Sequence, residues 1–163
     1  MIRIPKLLRS LSTLVTFRLG THLREEIDQQ RLEVRSWSKL CLYYIQIYGD
    51  EQDQSELINM GYGRVISITY STAGGNGEEQ DDEIQIGLIY IYDFLKALHQ
   101  GRNYKQSSFQ PLPLLARNTE EQIEEEGANE EIDAQIKNKG INGDIKNWAK
   151  GAKAAALNRF IYS

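Results

Sequence analysis

Two apolar segments separated by a glycine-rich, acidic insert constrain the fold of this chain more than any other feature. The stretch VISITYSTAGGNGEEQDDEIQIGLIYIY covers residues 65–92. Apolar and polar side chains alternate over residues 64–71, and residues 84–92 are rich in Ile and Tyr, as is typical of β-strands. Residues 72–83, TAGGNGEEQDDE, have the composition of a turn. The stretch therefore predicts a β-hairpin with a polar tip.

Residues 84–100 fit two different periods. A period of two residues gathers one apolar set on the face of a strand: Ile84, Ile86, Leu88, Tyr90 and Tyr92. A period of 3.6 residues gathers another set on the face of a helix: Ile84, Leu88, Ile91, Leu95 and Leu98. The Ile-rich and Tyr-rich composition favours a strand over residues 84–92. A short helix follows in this interpretation, and Gly101 suits its C-terminal cap.

The N-terminal part of the chain predicts a helix, a strand and a loop. The helix runs from about residue 5 to residue 30, with an interruption at Gly20, and its packing face is Leu7, Leu8, Leu11, Leu14, Val15 and Leu19. Residues 39–48, KLCLYYIQIY, are aromatic and β-branched, which predicts a strand. Residues 49–63 are polar and predict a loop.

The C-terminal part predicts a loop, an acidic helix and a last strand. Residues 101–118 hold two of the three prolines and predict an extended loop. Thr119 suits the N-cap of a helix with glutamates in its first turn, and Gly127 suits a break in it. The final LNRFIYS predicts a strand.

These elements predict an α+β fold, with an antiparallel sheet of three to four strands and helices packed on it. At 163 residues the chain has the length of one domain. Residues 1–30 form the amphipathic helix in this prediction, residues 39–100 the strand-rich core with the hairpin, and residues 119–163 the acidic helix and the C-terminal helix or strand.

Composition excludes several classes of protein and site. The net charge of −4 argues against a dedicated nucleic-acid binder. Cys41 is the only cysteine, so an intramolecular disulfide is impossible and a reducing compartment is indicated. One Cys and two His cannot form a typical structural zinc site. Apolar residues never run together for 18 positions, so no membrane span is predicted.

No motif of the sequence predicts catalysis or a cofactor. The GGNG of the insert lacks the lysine of a phosphate-binding loop, and the EEQDD after it would repel a phosphate. Its carboxylates are contiguous, unlike the alternating ligands of a calcium loop. His22 and His99 have no nucleophile or carboxylate at motif spacing, and Cys41 in an apolar segment predicts a buried side chain. We therefore expect no enzyme, no cofactor, no metal and no small-molecule substrate.

Charge is distributed unevenly along the chain. Residues 1–24 carry five cations and no acid, while residues 118–133 carry eight acids and no cation. The basic, acid-free start is also typical of organellar transit peptides, but its continuous apolar face favours a packed helix. Basic and acidic segments of this kind suit self-association. The predicted contacts with another subunit or partner are Arg3, Lys6, Arg9, Arg18, Glu78, Glu79, Asp81 and Asp82.

Residues 63–97, with a short apolar segment, an acidic insert and a longer Ile- and Tyr-rich segment, resemble the hairpin of tail-terminator proteins of tailed bacteriophages. The small-residue run that leads to an aromatic end over residues 148–163 is similar to the C-terminus of that family. The resemblance implies a structural subunit of the virion, assembled in the host cytoplasm. It implies a homohexameric ring that caps the tail tube, binds the head connector and has no catalytic residues.

A second function remains open. A cytoplasmic interaction module could dock a membrane or a protein partner through the basic, amphipathic N-terminal helix. An oligomeric ring without affinity for lipid would distinguish the first function from the second.

Overall fold

The computed structural model describes residues 6–17, 23–71, 78–103, 107–137 and 143–157, with only the backbone of residues 69–71 and 78–80. The described residues form eight α-helices. The first four are α1 (Leu7–Val15), α2 (Glu25–Tyr48), α3 (Glu51–Asn59) and α4 (Tyr62–Ser71). The other four are α5 (Glu78–Gln100), α6 (Pro113–Glu125), α7 (Ala128–Lys137) and α8 (Gly143–Ala156).

The predicted α+β fold with an antiparallel sheet is wrong. Residues 39–48 belong to α2, residues 64–71 to α4 and residues 84–92 to α5. The described part of the chain contains no strand, and its only β-type pairing is the isolated antiparallel bridge between Arg102 and Phe109. The fold is a bundle of helices, so the hairpin that residues 65–92 predicted is absent.

Helix α5 shows why the strand interpretation failed. The side chains at its 3.6-residue period, Ile84, Leu88, Ile91, Leu95 and Leu98, are all buried. Ile86, which the strand period placed on the same face as Leu88, is exposed. Strand propensity largely measures packing in a sheet. Here a continuous helical face over 15 residues buries more apolar surface against other helices than an isolated hairpin could.

The predicted loop over residues 49–63 is also helical. Asp50 and Asp53 form a capping box at the start of α3, in which the Asp50 carboxylate accepts from the Asp53 N–H at 2.9 Å. The Asp53 carboxylate accepts in return from the Asp50 N–H at 2.9 Å. The cap satisfies two of the backbone donors that a helix start leaves unpaired. The polar composition of this segment therefore marks a helix start and not a loop.

The C-terminal half agrees in part with the sequence. Gly101 and Gly127 have the positive φ values of 74° and 70° expected after a helix end. However, α6 begins at Pro113, within the predicted loop, and Thr119 lies inside α6, where its Oγ1 donates to the carbonyl of Leu115 at 2.9 Å. Most of the predicted last strand lies outside the described residues.

Helix α5 lies at the centre of the bundle and contacts α2, α4, α6 and α8. Small side chains on α8, Ala149, Ala152 and Ala155, are fully buried and let it approach α5 closely. Phe94 of α5 meets Tyr62 of α4 edge to face, with ring centroids 5.1 Å apart. Helix α1 packs on α2 and α4 through its inward side. The bundle thereby covers one long side of α2 and leaves the other side exposed.

Candidate functional site

The structure separates the two groups of charged residues that the sequence assigned to partner contacts. Lys6 and Arg9 lie at α1, whereas Asp81, half-buried, and Asp82, exposed, lie in α5. No ion pair joins the described cations of the first group to the described acids of the second. Only the backbone of Glu78 and Glu79, in the first turn of α5, is described. Arg3 and Arg18 lie outside the described residues.

Lys6 and Arg9 line a polar surface groove between α1 and the end of α3. The groove has a volume of about 630 Å³, and Glu56, Asn59 and Met60 form its other side. Part of the apolar side of α1 faces the bundle, with Val15 fully buried and Leu8 and Leu11 packed on the core, whereas Leu7 and Leu14 are exposed. The fold thus already uses part of the apolar face of the basic helix.

A different surface stands out on α2. Its solvent-facing side carries residues spaced alternately three and four positions apart, which we call the α2 stripe. The α2 stripe is Ile27, Gln30, Val34, Trp37, Cys41, Tyr44 and Tyr48. All seven are exposed, and Trp37 keeps 66% of its surface in solvent. This spacing is the heptad a/d pattern with which one helix packs against another.

The polarity of α2 is partly inverted relative to a normal surface helix, although Ile45 also packs on the core. The buried residues of α2 are Arg31, Ser38, Leu42 and Gln46, of which only Leu42 is apolar. A surface helix ordinarily buries its apolar stripe and exposes its polar side. An exposed apolar stripe of this length indicates a contact surface rather than a solvated face.

Helix α5 contacts α2 through side chains that are not part of the α2 stripe. Tyr43 of α2 stacks on Tyr90 of α5 with ring centroids 4.1 Å apart, and its hydroxyl donates to Asp93 Oδ2 at 2.9 Å. Lys39 forms an ion pair with Glu83. Burial, with smaller contributions from the charges of Glu83 and Tyr44, raises the pKa of Tyr90 to about 12. These contacts fix α2 on the bundle, so the stripe is a preorganised surface.

The end of α2 is held by buried polar groups. Tyr62 donates from its hydroxyl to Gln46 Oε1 at 2.8 Å, and burial raises the Tyr62 pKa well above its ordinary value. Gln54 Nε2 donates to the carbonyls of Gln46 and Gly49 at 3.0 and 3.1 Å. The guanidinium of Arg102 donates to three carbonyls at this helix end, those of Gln46, Ile47 and Gly49. These bonds serve the helix terminus, whose last carbonyls lack partners within the helix.

Within the described part of the chain, the cavity beside Tyr62 is too small for a substrate. The cavity lined by Lys39, Leu42, Tyr62 and Tyr90, with Val65 and Ile66, has a volume of about 10 Å³. That volume corresponds to about one water molecule. Among the described residues, no three His, Cys, Asp or Glu side chains are grouped so that they could hold a metal ion. Within the same residues, no helix combines the length and apolarity needed to cross a membrane.

The α2 stripe is not apparent when residues 39–48 are interpreted as a strand. Cys41 was predicted to be buried for the same reason, and it is exposed. The signal for the stripe is present in the sequence as the three-four spacing from Ile27 to Tyr48. Counting that spacing across the whole segment, instead of the composition of its last ten residues, indicates a helix with an apolar side.

Comparisons of this chain with protein-family models, with curated proteins and with solved structures gave no match.

Proposed function

We propose that this protein is an assembly subunit that associates with a second copy of itself through the α2 stripe. The observation that carries the proposal is the inverted polarity of α2, with Trp37, Tyr44 and Tyr48 exposed while Arg31, Ser38 and Gln46 are buried. Aromatic residues, Trp and Tyr above all, are the side chains that most often dominate protein–protein contacts.

The size of the stripe supports a specific contact. Trp37, Tyr44 and Tyr48 are 66%, 52% and 51% exposed, which amounts to roughly 340 Å² if an aromatic side chain presents about 200 Å². One side of a standard interface buries about 800 Å². The three aromatic residues thus supply the apolar centre of such an interface, and the aliphatic members and the flanks of α2 supply the remaining area.

A second copy fits the stripe better than an unrelated surface. Apolar positions that repeat every 3.5 residues are complementary to a helix with the same repeat, whose side chains insert between them. Helix α2 is such a helix, and it is 24 residues long. A pair of α2 helices would bury both stripes at once.

The tail-terminator function, the virion location and the hexameric ring stay predictions from the sequence. Residues 63–97, on which that resemblance rests, contain the greater part of α4 and of α5 instead of a hairpin. Self-association is the part of that prediction that the α2 stripe supports. Docking of the basic N-terminal helix to a membrane has less support, since Leu8, Leu11 and Val15 of α1 already pack on the core.

Light scattering on two matched variants tests the proposal. The wild-type protein is expected at twice the chain mass of 18.7 kDa, and Trp37→Glu at the chain mass. A buried, unpaired carboxylate costs about 3 kcal/mol or more, which raises the dissociation constant at least about 100-fold. Leu114→Glu is the control, because Leu114 is 77% exposed on α6, away from the stripe.

The control variant should keep the wild-type mass. A wild-type protein that stays at the single-chain mass up to its highest soluble concentration would refute self-association. Dissociation by Leu114→Glu, with no effect of Trp37→Glu, would place the contact on another surface and reject the role of the α2 stripe.

A further inference from the structure

We infer that the two copies pair antiparallel along the α2 stripe, in a two-fold dimer in which Gln30 of one copy faces Cys41 of the other. This inference rests on the proposed self-association and adds to it the orientation and the register of the contact. Both follow from the order of side-chain sizes along the stripe and from the distribution of charge along α2.

The register follows from the heptad positions. Ile27, Val34, Cys41 and Tyr48 occupy the a positions, and Gln30, Trp37 and Tyr44 occupy the d positions. In an antiparallel pair, a positions of one helix face d positions of the other. One register pairs all six stripe residues from Ile27 to Tyr44. Its three kinds of layer are Ile27 with Tyr44, Gln30 with Cys41, and Val34 with Trp37. Tyr48 then faces the exposed Leu23, which precedes the partner helix.

A shift by one heptad is less favourable in either direction. One shift would pair Gln30 with Tyr48 and place Ile27 opposite Glu51, the acidic first residue of α3. The opposite shift would leave Tyr44 and Tyr48 beyond the start of the partner helix. The first register places Tyr44 and Tyr48 against the apolar residues Ile27 and Leu23. We therefore assign that register.

Side-chain size favours the antiparallel orientation. The first half of the stripe, Ile27, Gln30 and Val34, contains no aromatic residue, whereas the second half holds Trp37, Tyr44 and Tyr48. Reversal of the second copy sets each large side chain of the stripe against a smaller one, so that the layers have similar thickness. A parallel pair would oppose Trp37 to Trp37 and Tyr44 to Tyr44, with thin layers between them. Close packing requires layers without such gaps and clashes.

Charge favours the same orientation. The first turn of α2 carries Glu25, Glu26 and Asp28, and a parallel pair would place these acids and two positive helix-dipole ends side by side. In the antiparallel register the two Glu26 residues lie about 28 Å apart along the axis, from a rise of 1.5 Å per residue. That separation exceeds the Debye length of about 8 Å at physiological salt.

The acidic turn of each copy then lies beside an uncharged segment of the other. Residues 40–48 of α2 contain no charged side chain. Lys39, which precedes them, is paired with Glu83 of its own chain. An antiparallel pair is isologous and closed at two copies, whereas the ring implied by the sequence resemblance needs a heterologous contact.

The single cysteine makes the orientation measurable. A parallel pair opposes Cys41 to Cys41, whereas the antiparallel register separates these two residues by about 16 Å along the axis. Disulfides need Cα atoms within about 7 Å. Gln30→Cys adds a thiol that faces Cys41 of the second copy only in the antiparallel register. Within one helix, positions 30 and 41 are also about 16 Å apart, so a bond between them must join two chains.

The experiment treats the full-length wild type, Gln30→Cys and Gln29→Cys with copper phenanthroline and separates the products without reductant. Gln29 is exposed on α2 beside the stripe and is the matched control. We expect Gln30→Cys to shift from monomer to covalent dimer, with peptide mapping showing a bond between positions 30 and 41. The wild type and Gln29→Cys should remain monomeric in this assay.

The other outcomes overturn the inference in different ways. A wild-type disulfide between two Cys41 residues would show a parallel pair. No cross-link in any variant, although light scattering gives a dimer that Trp37→Glu dissociates, would reject this register while the proposed function stands. A monomer in light scattering would remove the proposed function together with the inference.

Discussion

Tyr62 shows what a buried polar atom in this core requires. Its side chain is buried, and its hydroxyl donates at 2.8 Å to Oε1 of Gln46, which is buried as well. The bond keeps a carbonyl oxygen satisfied at a place that solvent does not reach. A buried acceptor without its donor costs the desolvation free energy of that group.

Tyr62→Phe is therefore expected to lower the free energy of unfolding by about 1–3 kcal/mol. Urea denaturation followed by circular dichroism measures the change. Tyr90→Phe is the control, because burial raises the pKa of both tyrosines but no hydrogen bond of the Tyr90 hydroxyl is found among the described residues. An equal loss in the two variants would show that removal of a hydroxyl as such, and not loss of the bond to Gln46, accounts for the effect.

Single residues were predictable where their role depends only on neighbours in sequence. Gly101 and Gly127 adopt positive φ, as expected for residues that follow a helix end. Cys41 was predicted to be buried and is exposed, and Thr119 was predicted at an N-cap and lies inside α6. Both errors concern properties that other parts of the chain decide: which face of α2 the bundle covers, and where α6 begins.

Among the secondary-structure elements, the wrong predictions are those that assigned strands to helical segments. The segments 39–48, 64–71 and 84–92 are rich in β-branched or aromatic residues and favour a strand by composition. All three are helical, because their apolar residues extend a 3.6-residue pattern that begins or ends outside the short segment. Val65 and Ile66, which an alternating strand would place on opposite faces, are both buried in α4. Tertiary burial outweighed local propensity in each case.

The segment between α5 and α6 is another element that packing defines. Arg102 pairs with Phe109 through two backbone hydrogen bonds of 2.8 Å, and its guanidinium lies 4.7 Å from the Phe109 ring centroid. The same guanidinium donates to Ser107 O at 2.9 Å and to the last carbonyls of α2. A single side chain thus closes the loop on itself and caps the C-terminus of α2, where a cation is favourable.

Arg102→Met removes these donors while it keeps an apolar stem of similar length. We expect a loss of about 3 kcal/mol or more in the free energy of unfolding, because several carbonyls lose a charged donor. Hydrogen exchange should become faster in the last turn of α2 and in residues 107–109. Arg102→Lys is expected to restore a part of the stability, since an ammonium reaches fewer of the carbonyls. Unchanged exchange in α2 would contradict the capping role.

The exposure of the α2 stripe depends on how the helices of the whole bundle are arranged. Helix α2 has apolar residues on more than one side, among them Leu42 inside and Trp37 outside. The three-four spacing alone does not tell which side the fold covers. That choice is made by α1, α3 and α5, which pack on the side that holds Arg31, Ser38 and Gln46. The helical stripe could thus be found in the sequence, but its exposure could not.

Dissociation of the whole dimer should be visible in the fluorescence of Trp37. The chain has two tryptophans, and Trp148 is packed against Tyr92 with ring centroids 5.7 Å apart. In Trp148→Phe, Trp37 is the only indole. We expect its emission to move to longer wavelengths on dilution, because Trp37 passes from a desolvated contact into water when the two copies separate.

The matched variant is Trp37→Phe, which keeps an aromatic ring in the stripe and leaves Trp148 as the reporter. Its emission should stay constant over the same dilution series, since Trp148 packs inside one copy, against the bundle core. The midpoint of the Trp37 change should agree with the dissociation constant from light scattering, because both measure one equilibrium. A shift in Trp148 instead of Trp37 would mean that dilution unfolds the subunit and that α2 is no interface.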